Sequence, residues 1–361
     1  FILGLAAGFA SVASAHSVFT TLFIDDKNQG DGTCVRMPKD PDTATNPIAS
    51  LSSTDMACGR DGQKAVAFTC SAQAGAKLTF EWRSTPDLSV PGSIDKSHAG
   101  PCAVYLKAVS NIMTDAAEGD GWFKIAEEGY DSQSKQFCTE KLIANNGLQS
   151  IKLPDGLPTG YYLVRTELLA LQNSPADPQF YVGCAQLFVQ GSTSTPLSIP
   201  AEQRVSIPGY VAMGEPSVSF NIYANPLALP YHIPGPKVFE VPSVGAFAAD
   251  AAATQQTQGV IPASALITNA NWAGVEVPDY TTEAGCWAAS DNCYQQQKAC
   301  YDSAPPSGSK GCEAWGNKCK SIQDACSAGK FTGPPNKGIA LNANVNAPVP
   351  GPIPPAPATE G

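Results

Sequence analysis

The sequence predicts an all-β domain, a two-sheet sandwich with long loops, followed by a small C-terminal hairpin of two disulfide-stapled helices. Three observations carry this reading. Charged residues make up only 15% of the 361, while Gly (32) and Pro (31) are abundant, a balance that suits a loop-rich β protein. Segment 78–82 alternates Leu78, Phe80 and Trp82 against Thr79 and Glu81, the period-two pattern of a half-buried strand. The twelve cysteines fall into two equal groups, one ending at Cys184 and one beginning at Cys286, which marks two separately stapled units.

The elements follow in chain order. Residues 1–15, FILGLAAGFASVASA, are apolar and end in Ala13-Ser14-Ala15, the h-region and cleavage pattern of a secretory signal peptide. The usual initiator Met and basic start are missing, so this leader is expected to be truncated; the alternative is a buried N-terminal strand or helix. Residues 16–240 are expected to form the sandwich. Besides 78–82, the segments 66–70, 102–108, 161–171 and 181–189 are rich in β-branched and aromatic residues and are expected as strands. Pro154-Asp155-Gly156 and Pro158-Thr159-Gly160 supply turns between them. Short strands with long loops point to an immunoglobulin-like or fibronectin-III-like arrangement.

Around AFAADAAATQQTQG the chain loses periodicity, and 241–285 is expected to be a linker. Cys286, Cys293 and Cys300 are seven apart, as are Cys312, Cys319 and Cys326. Seven residues is almost two helical turns, so each trio lies along one helix face. Pairing Cys286 with Cys326, Cys293 with Cys319 and Cys300 with Cys312 makes the ladder of two antiparallel helices. Pro305, Pro306, Gly308 and Gly311 form the turn. A zinc site is the weaker reading, because no Cys-x2-Cys knuckle or His accompanies these cysteines. The Pro-rich stretch 327–361 is expected to be disordered.

Composition also excludes partners. The formal charge is −10, from 22 Lys and Arg against 32 Asp and Glu, with no basic run to hold nucleic acid. No segment beyond the leader is long and apolar enough to span a bilayer. Twelve cysteines behind a signal peptide imply disulfides and a secreted, extracellular protein, expected to be a monomer.

The chain contains three histidines: His16, His98 and His232. Cleavage after Ala15 would make His16 the first residue. Its amine and imidazole can chelate one metal in a small ring, and a second His completes a flat, nitrogen-only T-shape that suits copper. Four fragments recur in order: the start HSVFTTLFIDDKNQGDGTCVRMP; the loop Ser97-His98-Ala99-Gly100-Pro101; the run Asp177-Pro178-Gln179-Phe180-Tyr181-Val182-Gly183-Cys184-Ala185-Gln186; and Asn225-Pro226-Leu227 followed by Ile233-Pro234-Gly235-Pro236. Together, over residues 16–240, they resemble the fungal lytic polysaccharide monooxygenases of auxiliary-activity family nine, formerly glycoside hydrolase family 61.

The resemblance implies one copper per chain, cycling between Cu(II) and Cu(I). The amine and side chain of His16 and the side chain of His98 would be equatorial ligands, with Tyr181 axial. Gln179 would be a hydrogen-bond donor beside the oxygen position. Independently, Gln179 and Tyr181 are two apart on an expected strand, so they share a face. The resemblance also implies a Cys58–Cys184 disulfide. Cys34, Cys70, Cys102 and Cys138 then allow three pairings, and the sequence does not choose among them.

One departure stands out. Family members carry a His on the strand matched by 164–172, and this chain has Gln172 there, with Thr166 nearby. Glutamine hydrogen-bonds but cannot shuttle protons. His232 is read as a loop residue and not a ligand. Tyr210 matches a surface Tyr of the family and is the candidate for stacking on substrate. Trp287 and Trp315 in the Cys-rich hairpin are either surface anchors or core. The implied activity is oxidative cleavage of cellulose or a related β-glucan by hydroxylation at C1 or C4. It needs a small-molecule or enzymatic electron donor and peroxide or dioxygen. The alternative is a non-catalytic secreted protein that binds copper or cell-wall carbohydrate.

Overall fold

The structure, a computed structural model, describes residues 16–191, 197–242, 255–341 and 349–353, so the leader expected at 1–15 lies outside the described residues. In chain order these residues form β1 (Val18–Ile24), β2 (Lys27–Asp31), α1 (Asp55–Cys58), β3 (Cys70–Gln73), β4 (Lys77–Arg83), β5 (Cys102–Val109) and β6 (Gly119–Glu128). There follow β7 (Tyr130–Asp131), β8 (Gln136–Phe137), α2 (Cys138–Ala144), β9 (Leu148–Lys152), β10 (Gly160–Ala170), β11 (Gln179–Gln190) and β12 (Arg204–Ile207). The last elements are β13 (Ala265–Asn269), β14 (Trp272–Val275), α3 (Glu283–Ser303) and α4 (Lys310–Ser327).

Two sheets make the sandwich, one ordered β2-β1-β4-β9 and the other β12-β6-β5-β10-β11-β3. Their inner faces share one core, in which Leu22, Phe80 and Trp82 of the first sheet meet Leu106, Val164, Leu168 and Leu187 of the second. The second sheet is buried on its outer face as well. Tyr105, Leu163, Leu169 and Phe180 pack there against Met56, Val211 and Val218 from the long loops. That is why β10 and β11 are buried almost end to end and show no clean alternation: both of their faces are covered.

β4 departs from the half-buried expectation, because its polar row is buried too. Thr79 shares a hydrogen bond with Ser150 (2.7 Å), and Arg83 pairs with Glu81 (2.9 Å) and Asp31 (2.7 Å). Thr79, Glu81 and Arg83 each have a partner, so burial of that row is tolerated. The strand expected over 66–70 begins only at Cys70, where it pairs in parallel with β11.

Disulfides join Cys34 to Cys70, Cys58 to Cys184 and Cys102 to Cys138 in the sandwich. Between α3 and α4 they join Cys286 to Cys326, Cys293 to Cys319 and Cys300 to Cys312. Thr282 caps α3 by accepting from the Gly285 amide (3.2 Å), and the helix stops just before Pro305-Pro306.

The span expected as a linker is partly folded. The β13–β14 hairpin lies within 241–285 and packs through Ile267 and Trp272 on Trp315 and Ile322 of α4. Four to five residues per strand carried too weak a pattern to be read as structure. The stretch expected to be disordered is also partly ordered: Gly333 bridges Tyr280, Lys337 pairs with Asp279 (2.5 Å), and the Leu341 amide donates to Leu266 (2.7 Å). Trp315 is fully buried at the centre of this unit, with its indole N–H on the Cys293 carbonyl (3.0 Å). Trp315→Ala is expected to cost the C-terminal unit about 3–5 kcal/mol. Limited proteolysis should then cut within 260–341 and leave 16–240 intact; an unchanged digestion pattern would refute this assignment of the core.

Candidate metal centre

His16 is half-buried at the head of β1, and Ser17 fastens that head in two directions. The Ser17 amide donates to the Thr45 carbonyl (3.0 Å), and its hydroxyl donates to the Ser93 carbonyl (2.8 Å). Ser93 opens the loop that carries His98.

The His98 loop is pinned along the end of β10. Leu169 and Leu171 donate to the carbonyls of Pro101 and Ala99 (both 3.0 Å), and the Gly100 amide donates to Thr139 Oγ1 (2.9 Å). A Cβ on Gly100 would lie 1.9 Å from the Leu169 carbonyl oxygen, so only glycine permits this approach. The consequence is that His98, itself buried, sits beside Gln172, two residues past the end of β10.

The hydrogen bonds assign the His98 tautomer. Ser97 spends its hydroxyl hydrogen on Asp95 Oδ1 (2.7 Å), so its oxygen accepts from His98 Nδ1–H (3.0 Å). Nε2 therefore carries the lone pair, and it accepts from the Gln172 amide (3.1 Å). Backbone and hydroxyl hydrogen bonds from Ser97 hold the Asp95 carboxyl below its ordinary range, so the relay ends on a carboxylate. A neutral imidazole oriented through one nitrogen and basic at the other is the form that ligates metals.

Gln179 lies at the hub. Its carbonyl accepts from the Gln172 amide (2.9 Å) and from the Tyr181 hydroxyl (3.0 Å), and its own amide donates to Asp177 (3.0 Å). The rings of His98 and Tyr181 are 6.2 Å apart. Burial, and next the charge of Asp177, push the Tyr181 phenol well above its ordinary value, so it stays neutral. The Gln172 carbonyl oxygen is buried and has no hydrogen-bond partner among the described residues.

This donor set fits copper. The His98 imidazole and the neutral Tyr181 phenol, joined by the His16 imidazole and the amine that cleavage before it would expose, would make a nitrogen-rich set, unlike the carboxylate sets of magnesium or calcium. The orphaned Gln172 oxygen leaves the cluster with hydrogen-bonding capacity that the protein itself does not use. Among the described residues, no group of three or more His, Cys, Asp or Glu is placed to hold a metal.

Other residues stand elsewhere. His232 is exposed on a loop. Thr166 donates to Gln149 (2.8 Å) and does not join the cluster. Tyr210 corrects the surface expectation: it is buried, with its hydroxyl on Glu167 (2.5 Å) and on Arg165 (3.2 Å) across the outer face of the second sheet. The exposed tyrosine of this region is Tyr223, in a turn whose lack of periodicity hid it. The Asp95–Ser97 relay also went unseen, although an Asp two residues before a Ser is a legible turn signal.

The model of Auxiliary Activity family 9 (formerly GH61) matches residues 16–231. The chain is 51% identical over 341 residues to an AA9 family lytic polysaccharide monooxygenase C of Aspergillus tamarii, covering 92% of this chain and 90% of that protein. It is also 51% identical over 347 residues to an AA9 family lytic polysaccharide monooxygenase H of Botryotinia fuckeliana, covering 93% and 78%. Its fold is similar to that of a cellulose-active polysaccharide monooxygenase from M. thermophila, with a TM-score of 0.52 at 31% identity, over 62% of this chain and 99% of that one.

If His98 ligates through Nε2, the Ser97 oxygen is what orients it. Ser97→Ala is then expected to weaken Cu(II) binding about 10–100-fold with the fold intact. Calorimetric titration of the mature chain checks this, and parent-like affinity would remove the relay from the site.

Proposed function

The chain belongs to Auxiliary Activity family 9, the copper-dependent lytic polysaccharide monooxygenases, and from that premise we propose that it cleaves cellulose, with copper held by His16, His98 and Tyr181. The observation that carries this reading is the hydrogen-bonded cluster of His98, Gln172, Gln179 and Tyr181, formed where the loop fastened to the head of β1 meets the start of β11. The cellulose assignment is supported by the similar fold of the cellulose-active M. thermophila enzyme.

When bound, copper supplies one-electron redox chemistry and activates the oxidant for hydroxylation at C1 or C4 of a glycosidic linkage. The remaining work falls to the chain. Ser97 and Asp95 hold the imidazole of His98 in one tautomer. The single lone pair on His98 Nε2 cannot serve both a metal and the Gln172 amide, so with His98 as a ligand Gln172 would keep only its bond to Gln179. Gln172 then positions Gln179 without moving a proton itself. Tyr181 offers a neutral oxygen and gives its hydrogen to Gln179. The Gln179 amide keeps one hydrogen beyond the one given to Asp177, a preorganised donor for charge that develops beside the metal.

Two experiments test this reading. The chelate needs a free amine on His16, so a chain bearing one extra N-terminal residue is expected to lose tight copper binding; equal affinity in both forms would sink the ligand assignment. Gln179→Ala is expected to keep copper and to lower oxidised-oligosaccharide release from cellulose about 10–1,000-fold under ascorbate and peroxide. A parent chain that binds copper but releases no oxidised product would leave the non-catalytic copper-binding reading in place.

A further inference from the structure

α3 shows an order that neither its packing nor its disulfides require. Its buried side is set by Cys286, Cys293 and Cys300, each tied to α4. The residue directly after each of these cysteines is aromatic: Trp287, Tyr294 and Tyr301. All three are exposed, at 38%, 37% and 46%. Among the described residues only one other aromatic, Tyr223, is comparably open, so three of those four exposed aromatics stand on one helix.

The spacing is regular. Seven residues advance the helix by about 10.5 Å and rotate the face by only about 20° per step. The three rings thus form a nearly straight row. Its pitch is close to the length of one disaccharide unit of an extended β-1,4-glucan, in which every second ring presents the same apolar face. Between the rings the same stripe carries Asp291 and Lys298, both exposed, which can hydrogen-bond sugar hydroxyls. Lys298 is neutralised by Asp302 (2.6 Å), so the row suits an uncharged polymer better than a polyanion. Tyr294 is steadied by its hydroxyl on Gln323 of α4 (2.8 Å). Single exposed aromatics are ordinary, but three at one period on a helix locked in rotation by three disulfides are not.

We propose that the outer face of α3 is a second binding surface of this protein, taking an extended β-1,4-glucan chain on Trp287, Tyr294 and Tyr301. The choice of glucan rests on the cellulose reading above. The unit that carries this surface is fastened to the sandwich. Asn271, in the β13–β14 turn, donates to the Gly32 carbonyl (2.7 Å) and accepts from the Cys34 amide (3.1 Å), which seats the C-terminal unit on the sandwich.

The test is partition of the full mature chain onto microcrystalline cellulose, copper-free and without reductant, so that it does not depend on cleavage. The variant Trp287→Ala, Tyr294→Ala, Tyr301→Ala is expected to bind about tenfold or more weakly, with its disulfide map unchanged. Replacing all three by Phe, which keeps a stacking face, is expected to restore most of the binding. Turnover on soluble cello-oligosaccharides should stay at the parent level in both variants, while release from insoluble cellulose should fall in the Ala variant. Parent-like partition of the Ala variant would overturn the proposal. So would equal, stripe-dependent partition onto chitin, or a parent that sediments as a dimer while the variant sediments as a monomer. A chain that cleaves nothing yet binds cellulose through the stripe would sink the cleavage reading and uphold this surface.

Discussion

The site depends on the register of β10 against β11. Eleven consecutive pairs run from Gly160 opposite Val189 to Ala170 opposite Gln179, with no bulge. That last pair puts Gln172 and Gln179 on the same turn, close enough to hydrogen-bond. It also sends Gln179 and Tyr181 to the inner face, while Phe180 goes to the outer cluster. A slip of one residue would exchange them, bringing Phe180 to the face of His98. β5 holds the other edge of β10 as far as Cys102 opposite Leu168, and the His98 loop continues along Leu169 and Leu171 where that pairing stops. The ladder therefore places both halves of the cluster, and Gly100 removes the one side chain that would keep them apart.

The outer face of the same sheet is held by charge. Arg165 is fully buried among Glu167 (2.5 Å), the Tyr210 hydroxyl (3.2 Å) and the Met56 carbonyl (2.9 Å), with Tyr105 beneath it. Such a group is stable only while every member is present; removing one partner strands a buried charge at a cost of about 3–5 kcal/mol. The cluster also explains why Tyr210 was misplaced. The resemblance placed it on the surface, yet the charged pair, 43 or more residues away in sequence, draws the phenol inward. Nothing local in the chain signals that partner.

Legibility followed the range of the determinant. Elements fixed by short patterns were readable: the period of Leu78, Phe80 and Trp82, the heptad spacing of the C-terminal cysteines and the two-residue offset of Gln179 and Tyr181. Features fixed by tertiary contact were not. The burial of the polar row of β4 needs Asp31 from another strand, and the β13–β14 hairpin needs Trp315 beneath it. Gln172 lies between these cases. That it stands where the resemblance expects a histidine was visible, but its double hydrogen bond to His98 and Gln179 appears only once the turn between β10 and β11 is built.

The manner in which the C-terminal unit is attached limits what it can do. A flexible linker would let a binding unit raise the local concentration of substrate in any orientation. Here Asn271 clasps the backbone of Gly32 and Cys34, Thr33 Oγ1 donates to the Ala270 carbonyl (3.1 Å), and Gly32, at φ +72°, lies under Ala270 and Pro305 where a side chain would clash. Cys34 is in turn bound to Cys70, and the Cys34 carbonyl accepts from Gln186 of β11 (2.8 Å). The seat of the hairpin thus runs through covalent and hydrogen bonds into the strand that begins with Gln179 and Tyr181. A polymer held on α3 would meet the sandwich at one fixed offset, not in a statistical cloud, so the helical pair would set a direction of approach as well as a surface.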